Sequence, residues 1–288
     1  MSESNPRLGI LLMIATTFVF ATQDGISRYL AGTYNVPTIV MIRYWFFAVF
    51  VVALAAARGG GIARVARTSQ PFLHIVRGVL LVGEIWVTVL AFTLLGLIET
   101  HAIFASYPLI IAALSGPVLG ERVGWRRWSA IAAGFVGVLV ILRPGIRVFS
   151  PEALIPLVAA AGFAAYGLLT RLAARRDRAE TSFFWTGVSG AAAITVIGPF
   201  LWQPPQGSDW WWMAALCLSS ASGHYLLIKA YEVAEASSVQ PFAYLQLVFA
   251  AGYGIAVFGE TLAAWTILGA AITVFAGVYT LWRERQPQ

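Results

Sequence analysis

Long apolar runs separated by short polar connections dominate this chain. Ten runs can be read, each close to the roughly 20 residues that a helix needs to cross the hydrocarbon core of a bilayer. They cover approximately residues 8–30, 36–57, 72–94, 100–119, 126–142, 153–173, 181–202, 210–230, 236–258 and 264–282. The runs are continuous and rich in Leu, Ala and Gly, whereas the strands of a membrane barrel are shorter and alternate strictly. The pattern therefore predicts an all-α polytopic membrane protein with ten transmembrane helices.

The composition of the chain agrees with this pattern. Of the 288 residues, 59% are hydrophobic and 11% are charged, whereas a soluble domain has roughly 25% charged residues. No stretch is long and polar enough to form a separate soluble domain, which argues against a tethered soluble enzyme, a nucleic-acid-binding module or a receptor with an ectodomain. The single cysteine, Cys217, excludes an internal disulfide and a CxxC metal site. We expect neither a metal nor a cofactor.

Arg and Lys are distributed unevenly among the connections. If the N-terminus lies in the cytoplasm, 13 of the 19 basic residues fall on the cytoplasmic side and 3 outside, and Arg43, Arg77 and Lys229 lie within spans. Because basic residues are enriched in cytoplasmic loops, this asymmetry predicts that both termini are cytoplasmic. The basic excess then orients the protein in a lipid bilayer, with no nucleic acid as a partner.

The two halves of the sequence resemble each other. The matched segments are Phe20–Arg28 with Phe163–Arg171, Ala91–Phe92 with Ala230–Tyr231, Gly120–Glu121 with Gly259–Glu260, and Gly137–Arg143 with Gly277–Arg283. The offset stays between 139 and 143 residues. We therefore predict two five-helix repeats, residues 1–147 and 148–288. An odd number of spans in each repeat places the halves in opposite orientations, which is the recurring plan of secondary transporters.

With these features the chain resembles the EamA-type drug/metabolite transporter family. The residues that carry the resemblance are Arg43, the alanines Ala91 and Ala230, the segment Ala165–Arg171, and the proline-then-Gly-Glu pattern of Pro108–Glu121. In the second copy, Leu247 stands where the family often has proline. The resemblance covers essentially the whole chain and is closest to the bacterial branch that exports aromatic and other neutral amino acids. It implies an inner-membrane carrier whose central cavity is lined by spans 1–4 and 6–9.

Spans 5 and 10 lie outside that cavity according to the resemblance, and their residues agree. They carry small residues at fourfold spacing, such as Gly134 after Ala130 and Thr273 after Gly269. This spacing lets two helices approach closely, so we interpret both spans as packing elements. Either span is also a candidate interface for a homodimer.

Polar residues inside the spans are the main candidates for function, because they are costly in lipid. Glu84 lies near the middle of span 3, where it is a candidate for proton coupling or for binding a substrate ammonium group. The alternative is a structural ion pair with His224, Lys229 or Arg77. Lys229 is close enough to the inner end of span 8 to reach the interface.

Arg43 in span 2 has two interpretations. A structural pair with Asp24 is favoured, and a clamp on a substrate carboxylate is the alternative. Gln23 and Asp24 are also candidates for the outer mouth of the cavity. His224 either binds a substrate carboxylate or is satisfied by a neighbouring helix, and we expect His101 and His74 to be interfacial.

Aromatic, amide and proline residues complete the predicted cavity. A ring-lined pocket suits flat apolar substrates, although we expect only a minority of these rings to touch the substrate. The aromatic candidates are Trp86, Phe104, Tyr107, Phe163, Tyr166, Trp185, Tyr225, Phe242 and Tyr244. Gln240 and Gln246 flank the second site and could bind polar groups. Pro108 and Pro241 are predicted helix breaks or hinges, with static kinks as the alternative.

The leading hypothesis is a secondary-active exporter of small metabolites, with aromatic and other neutral amino acids as substrates. Alternating access would come from one five-helix half rocking against the other. The sequence has no GxxxxGK[ST] loop, so we expect no direct use of ATP and no enzyme activity. Nucleosides, sugars and cationic drugs are the alternative substrates.

Two other classes of function are alternatives to a carrier. Gly187–Gly190 has the GxSG pattern of an intramembrane protease, and Ser189 with His224 would form its dyad. A channel would need a ring of charges or carbonyls, and no filter-like motif is present. The ten-span repeat favours the carrier over both alternatives.

Overall fold

Helices form the regular structure of the protein. The computed structural model describes residues 5–57, 61–120, 125–142, 151–234, 239 and 242–284. Within those ranges there are eleven α helices and one 3-10 helix, Gly198–Leu201, and no strand. The α helices are α1 Pro6–Ala31, α2 Val36–Ala57, α3 Gly61–Ala66, α4 Pro71–Phe104, α5 Tyr107–Leu119, α6 Trp125–Leu142, α7 Pro151–Ala173, α8 Ala179–Thr195, α9 Asp209–Val233, α10 Leu245–Phe258 and α11 Ala264–Glu284.

Four helical segments are long and apolar enough to cross a membrane by length and composition. They are Arg7–Ala31, Val36–Ala57, Pro71–Phe104 and Leu154–Ala173. Three shorter apolar helices are Tyr107–Leu119, Leu245–Phe258 and Ala264–Ala276. The prediction of an all-helical chain with several membrane spans is therefore confirmed, and the short helix α3 lies in a connection for which no helix was predicted.

Helix α4 reverses direction at Gly96. Gly96 has φ 81° and ψ 177°, a backbone conformation outside the helical region that glycine alone adopts readily. The rings of Phe92 and His101 lie 5.3 Å apart, although nine residues of a straight helix would separate them by roughly 13 Å. We call residues 71–95 the outgoing arm and residues 97–104 the return arm. These arms belong to predicted spans 3 and 4, so the two spans meet in a turn of one glycine.

Glu260 holds this turn from another part of the chain. Its carboxylate accepts hydrogen bonds from the backbone N–H groups of Leu97 at 2.9 Å and Ile98 at 2.8 Å. The first N–H groups of a helix have no acceptor within it, and a carboxylate is favoured at the positive end of the helix dipole. The same carboxylate forms an ion pair with Arg28. The Gly-Glu motif of the second half therefore joins α1, the Gly96 turn and the end of α10.

Proline interrupts the predicted fourth span where the sequence suggested a break. The return arm ends at Phe104, a turn occupies Ala105 and Ser106, and Pro108 lies in the first turn of α5. Pro108 has no N–H to donate to the carbonyl four residues earlier, so the regular bonding stops there. The second predicted break, Pro241, lies outside the described residues.

The principal helix pairs join the two halves of the sequence. Helix α1 packs on α9, α4 on α7, α2 on α8 and α6 on α11. Exchanging the halves turns the α1–α9 pair into the α7–α4 pair and leaves the other two pairs unchanged. Each half therefore buries its apolar surface mainly against the other half.

Helices α6 and α11 form a closely packed pair. A Cβ added at Gly137 would collide with Thr273 and with the carbonyl of Gly269. The Thr273 hydroxyl donates to the Gly269 carbonyl at 2.9 Å and lies 3.3 Å from the Gly134 carbonyl. The small residues predicted to pack spans 5 and 10 thus lie in one direct helix contact.

The bundle has two ends, each held by polar contacts. At the end that we call the Asp177 end, the Asp177 carboxylate accepts from Thr68 at 2.7 Å and Gln70 at 3.0 Å, and lies 2.9 Å from His74 Nε2. The opposite end, which we call the Gly96 end, holds the Arg28–Glu260 pair and a bond of 2.7 Å from Tyr34 to Asp209.

Candidate functional site

A small buried pocket lies in the middle of the bundle. Its volume is about 30 Å³, which is enough for a water molecule but far below the several hundred Å³ of a typical ligand pocket. It is lined by Phe20, Gln23, Asp24, Arg43, Glu84, Ile85, Thr88, Val89, Phe104, Phe163, His224 and Gln246. We call this the central pocket. Both halves of the chain contribute side chains to it.

Arg43 is 2% exposed and organises one side of the central pocket. Its guanidinium donates to the hydroxyl of Ser220, to Gln23 Oε1 at 3.2 Å and to His224 Nε2 at 3.3 Å. The expected ion pair with Asp24 is not formed. A hydroxyl, an amide and an imidazole hold the guanidinium instead, so its charge faces no carboxylate in direct contact.

Asp24 has its own partners on the other side of the pocket. Gln246 Nε2 donates to Asp24 Oδ2 at 3.1 Å, and His101 Nε2 lies 3.3 Å from the same oxygen. Gln23 Nε2 lies 3.4 Å from Asp24 Oδ1. His101, expected near the membrane interface, is only 2% exposed and contacts the rings of Phe92 and Phe104, so its side chain packs inside the protein.

Glu84 is also buried, and its hydrogen-bond partner is the hydroxyl of Thr88 at 2.6 Å. None of the three partners proposed from the sequence contacts it. Lys229 binds Glu232 at 2.6 Å, and Arg77 Nη1 donates to His74 Nδ1 at 2.8 Å. The Glu84 carboxylate therefore lines the pocket without a cationic partner among the described residues.

Two polar groups of the pocket residues have no protein partner. A guanidinium can only donate, so His224 Nε2 must accept the bond from Arg43, and the neutral ring carries its proton on Nδ1. His224 Nδ1 and Gln246 Oε1 are buried and have no partner in the part of the chain that the structure describes. Buried polar groups are rarely left unpaired. One free donor and one free acceptor therefore indicate room for a polar ligand or water.

Three phenylalanines form the apolar wall of the pocket. Phe163 lies 5.5 Å from Phe104 and 6.2 Å from Phe20, and Phe20 lies 5.1 Å from the ring of His224, all measured between centroids. Such separations are typical of aromatic pairs. A flat ring entering this space would therefore meet aromatic side chains as well as the polar groups of the lining.

Eight of the candidate residues named from the sequence line the central pocket, seven do not, and Gln240 lies outside the described residues. The eight are Gln23, Asp24, Arg43, Glu84, Phe104, Phe163, His224 and Gln246. Of the seven others, Trp86 and Phe242 pack at the edge of the core, Tyr107 contacts Phe104 and Phe163, Tyr166 lies beneath Arg77, Trp185 bonds to the Ala66 carbonyl, Tyr225 contacts Phe183, and Tyr244 is buried with an unpaired hydroxyl. Most predicted aromatics therefore lie outside the lining of the pocket.

Three residues that were not selected for the site are part of it or adjoin it. Phe20 and Thr88 line the pocket, and His101 Nε2 lies 3.3 Å from Asp24 Oδ2. Phe20 lies four residues before Asp24, and Thr88 lies four residues after Glu84, which is the spacing of neighbours on one helix face. His101 gave no such signal, because its approach to Asp24 depends on the turn at Gly96.

The geometry does not assemble the serine–histidine dyad. Ser189 Oγ donates to the carbonyl of Trp185 and lies 3.4 Å from the carbonyl of His74, whereas His224 contacts Arg43. No group of three or more His, Cys, Asp or Glu residues suited to a metal ion occurs in the described ranges.

A second and much larger cavity opens at the Gly96 end. Its volume is about 770 Å³, which is within the range of ligand pockets. Its lining includes Arg28, Phe92, Ile98, Glu99 and Glu260. We call it the mouth cavity.

Comparison with known proteins assigns the chain to a family. The model of the EamA-like transporter family matches residues 7–143 and again residues 151–283. The chain is 24% identical over 281 residues to an S-adenosylmethionine uptake transporter of Rickettsia prowazekii (96% of this chain, 94% of that protein). It is 30% identical over 295 residues to a riboflavin transporter of Rhizobium johnstonii (99% and 95%). A solved crystal structure shares the fold with a TM-score of 0.71 at 20% identity, covering 98% of this chain and 100% of the other.

Both family matches fall on the halves that the sequence comparison aligned. The relatives named as carriers extend over nearly the whole chain. The helices and the buried polar pocket agree with a protein that moves small molecules across a bilayer. The chain is a multi-pass membrane protein and belongs to the EamA-like transporter family.

Proposed function

We propose that the protein is a secondary-active transporter of small metabolites that binds its substrate in the central pocket. One observation carries this proposal: a pocket in the middle of an apolar bundle holds two carboxylates, a guanidinium, an unpaired donor and an unpaired acceptor. Such groups are expensive within a membrane protein and mark substrate or ion pathways. A role in packing alone would not require them.

We propose a substrate with a flat aromatic part and polar substituents. The wall of Phe20, Phe104 and Phe163 suits a planar ring, and His224 and Gln246 supply a donor and an acceptor. Aromatic amino acids, expected from the sequence, have this chemistry. Riboflavin and S-adenosylmethionine, named for the two relatives, have it as well, since each carries a planar nitrogen heterocycle.

The transport cycle requires the pocket to grow. A volume of about 30 Å³ cannot hold any of these metabolites, so the present conformation is contracted around the site. We propose alternating access between two inverted repeats, residues 1–147 and 148–288, with both termini cytoplasmic and the protein in the bacterial inner membrane. The break at Ala105–Ser106 and the turn at Gly96 supply places where the bundle can bend.

A carrier of this kind moves substrate in whichever direction the gradients favour. The sequence suggested export, whereas the Rickettsia relative is named an uptake transporter. The test is therefore counterflow in proteoliposomes, in which an internal excess of unlabelled substrate drives accumulation of labelled substrate. Tryptophan, phenylalanine, leucine, glutamate, riboflavin and S-adenosylmethionine should each be offered.

We expect accumulation of at least one member with a planar ring and none of glutamate. His224→Ala should reduce accumulation by roughly tenfold, because the protein then lacks a buried hydrogen-bond donor for the substrate. Ser189→Ala should leave accumulation unchanged, since Ser189 lies outside the pocket. Glutamate accumulation, or equal loss in both variants, would contradict the proposed site.

Glu84 is the proposed site of proton coupling. It is a buried carboxylate with a single hydroxyl partner, so it can exchange a proton without breaking an ion pair. Glu84→Gln should abolish the acceleration of transport by an imposed pH gradient while allowing exchange at symmetric pH. Glu99→Gln, in the mouth cavity, is the matched control. A pH-gradient effect that survives Glu84→Gln would remove Glu84 from this role.

A further inference from the structure

A wall of protein separates the central pocket from the mouth cavity. Asp24 and Val89 line the central pocket, whereas Arg28 and Phe92 line the mouth cavity. On the return arm, Ile98 faces the mouth and Phe104 faces the pocket. His101 lies between them in the chain and lines neither cavity. The two spaces are therefore separated by about one turn of α1 and of the outgoing arm, and by nearly two turns of the return arm.

Polar contacts cross this wall at two levels, and a hydrogen bond of 2.8 Å between the hydroxyls of Thr22 and Tyr253 also joins α1 to α10. The inner contact is the hydrogen bond from Gln246 of α10 to Asp24 of α1, and His101 Nε2 of the return arm lies 3.3 Å from the same carboxylate oxygen. The outer contact joins the same elements at the Gly96 end, through Arg28, Glu260 and the N–H groups of Leu97 and Ile98. Asp24 and Arg28 are four residues apart on α1, and Ile98 and His101 are three apart on the return arm, so each element contributes to both contacts.

We propose that these contacts form a two-layer gate between the mouth cavity and the central pocket. This inference rests on the proposed function, because it assigns residues that control access to the proposed substrate site. A substrate in the mouth cavity reaches the pocket only after α1 moves away from the return arm and α10, which separates Asp24 from Gln246 and His101, and Arg28 from Glu260.

Glu260 gives the outer layer its particular character. The same carboxylate caps the return arm and pairs with Arg28, whose guanidinium carbon also lies 4.2 Å from the centroid of the Phe258 ring. Breaking the ion pair leaves the cap in place, so the return arm stays attached to the end of α10 while α1 departs. Opening is thus a motion of α1 against a unit formed by the return arm and α10.

The inner layer ties the gate to the substrate site. Asp24 both lines the pocket and accepts the hydrogen bond from Gln246, with His101 beside it. Glu99, which lines the mouth cavity, has no partner in the described part of the chain and takes no part in either layer. Glu99 is therefore a carboxylate in the same cavity with no predicted effect on the gate.

The test measures access to the pocket from the mouth. Cys217 is the only cysteine, so Cys217→Ala provides a background for a single reporter, Val89→Cys, in the central pocket. A small water-soluble thiosulfonate is applied to proteoliposomes, and the rate of labelling is measured. Thr93→Cys, in the mouth cavity, gives the rate for an open position and identifies the side on which the mouth lies.

We expect Arg28→Gln and Asp24→Asn each to raise the labelling rate of Val89→Cys by roughly fivefold, because each removes one closing interaction. Arg28→Lys should restore slow labelling, and Glu99→Gln should leave the rate unchanged. Labelling of Thr93→Cys should be the same in all backgrounds. Equal rates at Val89→Cys in every variant would overturn the gate.

Thermal unfolding of each variant identifies any general loss of folding, which would accelerate labelling of other buried positions as well. Ile194→Cys serves as the reference for such a general effect, because Ile194 is buried in α8 and lines neither cavity. Failure of the gate with intact counterflow would leave the proposed function standing. Faster labelling without counterflow of any tested metabolite would keep the gate and overturn the choice of substrates.

Discussion

The Asp177 carboxylate links the segment after α7 to the start of α4 through hydrogen bonds with Thr68, Gln70 and His74. Arg77 donates to His74 Nδ1, so the neutral ring carries its proton on Nε2 and donates it to Asp177. Burial alone would raise the pKa of Asp177, but hydrogen bonds from Thr68, His74 and Gln70 outweigh it and lower the pKa below its ordinary value. The charged form is therefore the one that the fold stabilises.

Replacing this carboxylate should cost stability in a pH-dependent way. A depressed pKa contributes stability that is present above the unfolded value of about 3.9 and lost as the pH falls through the folded value. Asp177→Asn should therefore lower the free energy of unfolding by about 1–3 kcal/mol near pH 7. Thermal unfolding between pH 3 and pH 7 checks this, and the gap between the two proteins should narrow below about pH 4. A gap that is constant with pH would contradict the account, and Glu99→Gln is the control.

Gly96 supplies a second test at a single position. Its φ of 81° is strained for any other residue, and a Cβ there would lie 2.7 Å from Glu260 Oε1. Gly96→Ala should destabilise the protein by more than about 1 kcal/mol. Gly83→Ala is the matched control, because Gly83 is exposed in the outgoing arm with nothing within 4 Å of the added Cβ. In a helix that control should be neutral or stabilising, and equal losses would contradict our description of the turn.

Individual polar residues were predicted more successfully than their partners. Arg43, Glu84 and His224 were selected because a charged or polar side chain in an apolar run is a strong signal by itself. Their contacts depend on which helices meet. Arg43 was expected to pair with Asp24 and instead binds Ser220, Gln23 and His224. Aromatic residues carry no such signal, so Tyr166 and Trp185 could not be separated from Phe163.

Helices α6 and α11 approach each other closely because small residues lie where they cross. The contact of Gly137 with Gly269 and Thr273 leaves no room for a larger residue. Gly137→Leu should therefore separate the helices and destabilise the protein by several kcal/mol. Gly252→Leu is the control, since Gly252 lies in α10 with nothing within 4 Å of an added Cβ. Thermal unfolding in detergent compares them, and equal tolerance of leucine would show that the crossing is not tightly packed.

Helix location was predictable because apolar length and proline placement are local properties. The sequence indicated a break at Pro108, and the structure places the turn at Ala105–Ser106 just before it. The reversal at Gly96 was not predicted as a turn of one residue. Glycine permits that conformation, but the carboxylate that stabilises it comes from Glu260, 163 residues away from Leu97 in the sequence.

Across the whole molecule, the helices of each half pack mainly against helices of the other half and less against helices of their own half. The main pairs α1–α9, α4–α7, α2–α8 and α6–α11 all cross between the halves. Residues 1–147 and 148–288, expressed separately, should therefore each fail to give a stable species in detergent, and co-expression should restore one. Size-exclusion chromatography of tagged halves checks this. A stable, monodisperse first half alone would contradict it.

The pairing between halves has a consequence for how the protein is made. During synthesis the first half of the chain leaves the ribosome before any of its principal partner helices exists. At elongation rates of roughly 5–20 residues per second, it waits on the order of ten seconds or longer, and during that time Arg43 lacks Ser220 and His224 and Arg77 lacks Thr170 and Thr186. A chain truncated near its middle would keep these two guanidinium groups within its apolar helices without their partners from the second half.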